Sequence, residues 1–306
     1  MNMIRLFLFG TLGFSLSANA KILRSAALYF APNQQIETNA IATYGTTESQ
    51  YGLFQTDTAV TTLGGRIEHG FTEQLSWGAA LRYGMGTKEI KTTFTQIKDT
   101  YDGLLDPEVY LKSHFETEKL RFHVGGILGF KSDAMVMSYD RSPMNFSQGG
   151  SSLVMQLGLE GAIGPTLLGA EVTGDLWKDF QEVVIQNTDK TDTIYFREGG
   201  KAISLTTFGE LNNSRWIKPG LKVQLTQIEP SRAEIQENQR VTTNTIQKFQ
   251  MPREQQLGGS FYGRIRLPKH FVLTLELYGK EARDLVASDT PRRQSYGVAT
   301  GLGFKF

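Results

Sequence analysis

The stretch SYGVATGLGFKF, residues 295–306, alternates large apolar residues with small or polar ones and ends on Phe. Tyr296, Val298, Leu302, Phe304 and Phe306 fall on one face, and Gly297, Ala299, Gly301, Gly303 and Lys305 fall on the other. A period of two held over this length describes a β-strand with one lipid-facing side and one small or polar side, which is what a strand between a bilayer and a polar interior requires.

In its alternation and its terminal Phe the segment resembles the closing strand of bacterial outer-membrane β-barrels. That strand commonly ends in Phe and is read by the barrel-assembly machinery. The resemblance implies an all-β fold, a single antiparallel transmembrane barrel in the outer membrane, surrounded by outer-membrane lipid and lipopolysaccharide. It also implies that Tyr296, Val298, Leu302, Phe304 and Phe306 carry the assembly signal.

The other end of the chain makes a separate case for export. Arg5 precedes the short apolar run 6–16, and Ala18-Asn19-Ala20 has the small-x-small form of a cleavage site, so residues 1–20 read as a secretory signal with Lys21 as the first mature residue. The apolar run is shorter than the roughly 20 residues of a membrane helix, and no later stretch qualifies. A mean hydropathy of -0.27 is no objection, because a barrel averages lipid-facing against lumen-facing positions. Arg5 is the only charge before Lys21, so the mature chain carries 31 basic and 31 acidic residues and has no basic arm for nucleic acid. With no Cys there is neither a disulfide framework, a thiolate metal site nor a lipidated N-terminal Cys.

Between these ends, strand-sized segments are separated alternately by very short turns and long polar stretches. The short turns are 72–74, 117–119, 164–166, 212–214 and 268–270. The expected strands are 36–45, 59–71, 75–87, 104–116, 120–131, 150–163, 167–179, 200–211, 215–228, 255–267, 271–282 and 295–306. That makes about twelve strands, with fourteen as the alternative if the N-terminal region adds two. The class places its C-terminus on the periplasmic side, so the short turns are expected there. The stretches 46–58, 88–103, 132–149, 180–199, 229–254 and 283–294 are then expected outside. Loop 229–254 reads as a mobile or hairpin-extended surface loop. Residues 21–35 form a lead-in or plug segment, and 36–306 form one barrel domain without repeat or linker.

The face opposite the apolar residues holds the candidate pore lining: Arg66, Arg82, Lys112, Arg121, Glu160, Glu171, Asp175, Lys218, Lys222, Tyr262, Arg264, Arg266, Glu276, Tyr278 and Lys305. Glu68, Glu108, Tyr110, His114, Glu210 and Lys280 share that face. Charges of both signs in an interior must pair or meet water, so they either fill a closed barrel or line a narrow hydrated pore. By hairpin geometry Arg264 and Arg266 face Tyr262, Glu276 and Tyr278. With Lys305 they form either an ion network or a positive patch for carboxylate or phosphate groups.

The four His, at 69, 114, 123 and 270, all lie beside short turns, away from the outer-leaflet position of known barrel hydrolases. His69 is expected to face lipid beside Phe71. His114 and His123 point inward on one hairpin without a third ligand, a weak metal signal. No G-x-S-x-G motif occurs. The glycine pairs 64-65, 125-126 and 258-259 sit inside strands, where they mark bends or close approaches instead of phosphate loops. Trp77, Trp177 and Trp216 fall at strand ends as an aromatic girdle, with Trp177 inward by parity. These features favour a monomeric small porin or channel for small polar solutes, anionic ones included, with no cofactor, metal or catalytic residue. The alternative is a plugged surface barrel whose loops bind a partner, with a hydrolase a distant third.

Overall fold

The computed structural model describes residues 31, 33–51, 54–91, 96–105, 107–117, 120–130, 152–186, 191–211, 216–239, 245–251, 253–268, 270–284 and 293–305. The signal segment 1–20, most of the lead-in, the stretch 132–149 and Phe306 lie outside them.

Those residues form seventeen strands: β1 Ile36–Tyr51, β2 Phe54–Gly70, β3 Leu75–Lys91, β4 Gln96–Leu104, β5 Glu108–Glu116, β6 Leu120–Gly129, β7 Ser152–Ile163, β8 Thr166–Trp177, β9 Phe180–Gln186, β10 Thr191–Arg197, β11 Gly200–Leu211, β12 Ile217–Ile228, β13 Ser231–Gln239, β14 Thr245–Met251, β15 Glu254–Arg266, β16 Phe271–Asp284 and β17 Arg293–Lys305. Twelve of them close a barrel in the order β1-β2-β3-β5-β6-β7-β8-β11-β12-β15-β16-β17, and every neighbouring pair is antiparallel. Closure is made by β17 against β1, from Glu37 opposite Lys305 to Ser49 opposite Arg293. A barrel is the form in which a membrane-spanning sheet leaves no edge unpaired in lipid.

Alternation along these strands sorts the two faces. Leu63, Leu111, Leu157, Leu221, Leu257, Phe261 and Leu302 are exposed outward on six different strands, while their sequence neighbours turn inward. Toward one end the outward face carries charge, where Lys91 Nζ lies 3.0 Å from Asp57 and 3.4 Å from Glu89. At the opposite end Trp77 and Trp216 are exposed, and the His69 ring sits edge-on to Phe71 and Trp77 at 6.5 and 6.4 Å. An apolar belt bounded by aromatic and charged residues is the signature of a membrane-spanning wall.

Five inward aromatics lie over inward glycines directly opposite on the neighbouring strand: Tyr110 on Gly78, Phe208 on Gly169, Trp177 on Gly200, Tyr262 on Gly220 and Tyr278 on Gly297. A Cβ at any of these glycines would occupy ring space. Gly220→Val should therefore displace the Tyr262 ring and lower stability by about 1–3 kcal/mol, the usual range for overpacking. Urea unfolding in detergent followed by tryptophan emission measures this, and an unchanged midpoint would contradict it.

The stretches expected as long loops are partly strand. Residues 46–51 and 54–58 extend β1 and β2 into one long hairpin, and 88–91 and 96–103 extend β3 and form β4. β4 and β5 both pair with β3 and are parted at Leu105–Pro107. Leu105 there donates its amide to the Arg82 carbonyl, and Pro107 stands just before β5, where no ladder donor is required of it. Stretches 180–199 and 229–254 contain the four-stranded sheet β9-β10-β13-β14, which continues β8, β11, β12 and β15 beyond residues 178–179, 198–199, 229–230 and 252–253. Thus 229–254 is a hairpin extension. The end bearing these projections is called the extension end below, and the other the short-turn end.

Candidate functional site in the barrel interior

Parity set by the registers places every inward candidate on the lumen face: Arg66 on β2, Arg82 on β3, Lys112 on β5, Arg121 on β6, Glu160 on β7, Glu171 and Asp175 on β8, Lys218 and Lys222 on β12, Tyr262, Arg264 and Arg266 on β15, Glu276 and Tyr278 on β16, and Lys305 on β17. They separate into two layers with different character.

The short-turn layer is a floor of buried ion pairs. At its centre two carboxylates, Glu37 and Glu68, stand directly opposite each other on β1 and β2. Each is held by cations arriving from its own side. Glu37 binds Arg264 Nη2 at 3.4 Å and Lys305 Nζ at 3.3 Å. Glu68, 1% exposed, binds Arg66 and, at 3.1 Å, Lys112 Nζ; it also accepts from Ser76 Oγ at 3.1 Å and from the Ala31 amide at 2.9 Å. Arg66 donates from Nε to Tyr110 Oη at 2.6 Å and stacks 4.5 Å above that ring. Two like charges tolerate such closeness only because cations surround them on both sides.

The floor continues around the wall. Arg121, 3% exposed, reaches Glu116 at 2.6 Å and Glu160 at 2.7 Å. Lys218 Nζ lies 3.8 Å from Glu210, which also accepts from Tyr262 Oη at 3.3 Å. His114 and His123 are opposite each other across β5 and β6, both buried, with His114 Nε2 at 3.4 Å from Glu116. Among the described residues no group of three His, Asp or Glu side chains is placed to hold a metal ion. Ala31, five residues before β1, is wholly buried and joins this layer through its amide, while residues 33–35 are exposed.

Toward the extension end the interior opens into a cavity of about 440 Å³ lined by Gln156, Glu171, Lys222, Gln224, Glu276 and Lys280, with Phe208 beneath. Lys222 is paired to Glu276 at 3.3 Å and lies 4.6 Å over the Tyr262 ring. Ser260 donates to the same Glu276 at 2.6 Å. Glu171 and Lys280 have no ion-pair partner among the described residues. Higher on the wall Arg82 pairs with Glu108.

The geometry revises the arginine cluster in one respect. Thr274, not Glu276, is opposite Arg264; Glu276 is opposite Tyr262 and is engaged by Lys222 from the strand beyond. Arg264 instead reaches Glu37, a residue absent from the sequence reading because 36–45 alternates poorly. Arg266 is exposed. Trp177 faces inward over Gly200, so the girdle at that end does without it.

No protein-family model matches the chain, and no curated protein matches its sequence. Among solved structures, the COG4313 outer membrane channel from Pseudomonas putida F1 superposes with a TM-score of 0.64 at 11% identity, covering 93% of this chain and 100% of that one. The transport unit of the autotransporter AIDA-I from Escherichia coli gives 0.55 at 9% identity, covering 94% and 95%. The fold is that of an outer-membrane β-barrel. A TodX monoaromatic hydrocarbon channel deletion mutant, at 0.50 and 11% identity with 92% of each chain covered, agrees. What separates one outer-membrane barrel from another is the interior, and in this barrel the interior is an ion-paired floor beneath a polar cavity.

Proposed function

We propose that this barrel is a narrow channel for small polar solutes, with the cavity as its vestibule and the ion-paired floor as its gate. The observation that supports the reading is the chemistry of the closure. Ion pairs exchange partners with water once a few side chains move, whereas an apolar plug would have to expose hydrocarbon to do so. In the orientation of the class, the floor faces the periplasm and the cavity faces outward. Preference for anions finds less support than the sequence suggested, because Glu37 offsets one of the two charges of Arg264 and Lys305.

A barrel closed by this floor also fits a surface role for the sheet β9-β10-β13-β14. Hydrolysis has less behind it: His114 and His123 are buried in the floor, and His69 packs outward against Phe71 and Trp77.

Planar bilayers and liposome swelling separate the readings. The full barrel is expected to show a defined unitary conductance and to admit small sugars and amino acids. A folded barrel that stays silent at both polarities and admits neither would overturn the channel reading in favour of the surface one.

A further inference from the structure

The registers place Glu171, Thr206, Gln224, Gly258 and Lys280 in one continuous row across β8, β11, β12, β15 and β16. Adjacent strands are about 4.8 Å apart, so four steps set Glu171 and Lys280 on separate walls of the same concavity. Both line the cavity. Between them Gly258 contributes no side chain, and Gln224 and Thr206 offer both donors and acceptors.

These two charges differ from the others in the cavity. Lys222 and Glu276 are committed to each other and to Tyr262 and Ser260. Glu171 and Lys280 find no ion-pair partner among the described residues, Lys222 and Lys112 act on Glu171 only at longer range, and three intervening strands keep Glu171 and Lys280 from meeting each other. Asp175, four residues beyond Glu171 on the same face of β8, also has no ion-pair partner among the described residues, so that wall is acidic while the β16 wall is basic at this height.

We infer that this row is a binding site for zwitterionic solutes, small molecules that carry an ammonium group at one end and a carboxylate at the other. The ammonium is received by Glu171, the carboxylate by Lys280, and the amide or hydroxyl groups between them by Gln224 and Thr206. A solute with one charge satisfies one wall and leaves the other without a directly paired counter-charge, so both charges are needed for full affinity. The volume is within the ~300–1,000 Å³ of small-molecule pockets. The inference gives the proposed channel its solute class and rests on that reading for its physiological meaning, but the site itself is testable without transport.

The test uses the full barrel folded in detergent and isothermal titration with three matched probes: glycylglycine, N-acetylglycine, which keeps only the carboxylate, and glycinamide, which keeps only the ammonium. Glycylglycine is expected to bind saturably, with the two singly charged probes weaker by about tenfold or more. Glu171→Gln and Lys280→Gln should each weaken glycylglycine to the level of the singly charged probes, with heat-modifiable gel migration confirming a folded barrel. In Lys280→Gln, glycinamide should bind as it does to the unmodified protein, which a general loosening of the barrel would not preserve. Equal binding of the three probes, no binding of glycylglycine, or folded variants that bind it unchanged would overturn the site. Liposome swelling on the same preparations separates the two proposals. A barrel that binds glycylglycine but passes nothing defeats the channel and leaves the site, whereas one that conducts without binding it defeats the site.

Discussion

Planar bilayers containing the double variant Glu37→Gln, Glu68→Gln should carry several-fold more current than those containing the unmodified barrel, and the added current should favour anions. The two carboxylates are opposite each other and anchor four cations between them: Arg264 and Lys305 on one side, Arg66 and Lys112 on the other. Neutralising both leaves four positive side chains around one small space. Their mutual repulsion drives them outward and hydrates the floor. The same substitution weakens the acceptor of the Ala31 amide, so the chain before β1 should become more accessible to protease from the short-turn end. Each single variant keeps half of the anchorage and should conduct less than the double. A folded double variant with unchanged current would show that the floor does not gate the lumen.

The second large effect is on stability. Arg121→Met should destabilise the folded barrel by about 3–5 kcal/mol, because it leaves Glu160, 1% exposed, buried without its cation. Adding Glu160→Leu should recover most of the loss, since a fully apolar replacement of a buried pair is near neutral while half a pair is not. Equilibrium unfolding in urea, read by tryptophan emission, measures both. If the double variant is as unstable as the single, the packing of Arg121 rather than its charge is what matters.

The sequence made the wall legible wherever lipid lay on one side. Leu120, Phe122, Val124 and Leu128 against Arg121 and His123 show the parity directly, and β6 and β11 begin where the alternation predicted. It faded at both extremes of the molecule for the same reason. Strands β9, β10, β13 and β14 project past the charged rim, where neither face meets hydrocarbon, so no alternation marks them. In β1, Thr38, Ala40 and Ala42 are outward while Ile41 is inward, which blurs the pattern and hid Glu37, the anion that organises half of the floor. The pairing of Glu276 was missed differently. Hairpin reasoning sees one neighbour of a strand, and Lys222 lies on β12, beyond the other side of β15.

The four interruptions at 178–179, 198–199, 229–230 and 252–253 fall at one height on adjacent strands. The strands beyond them, β9, β10, β13 and β14, therefore form a cassette joined to the wall by aligned seams. Such a cassette can be shortened, exchanged or loaded with a foreign epitope without shifting a single register in the bilayer.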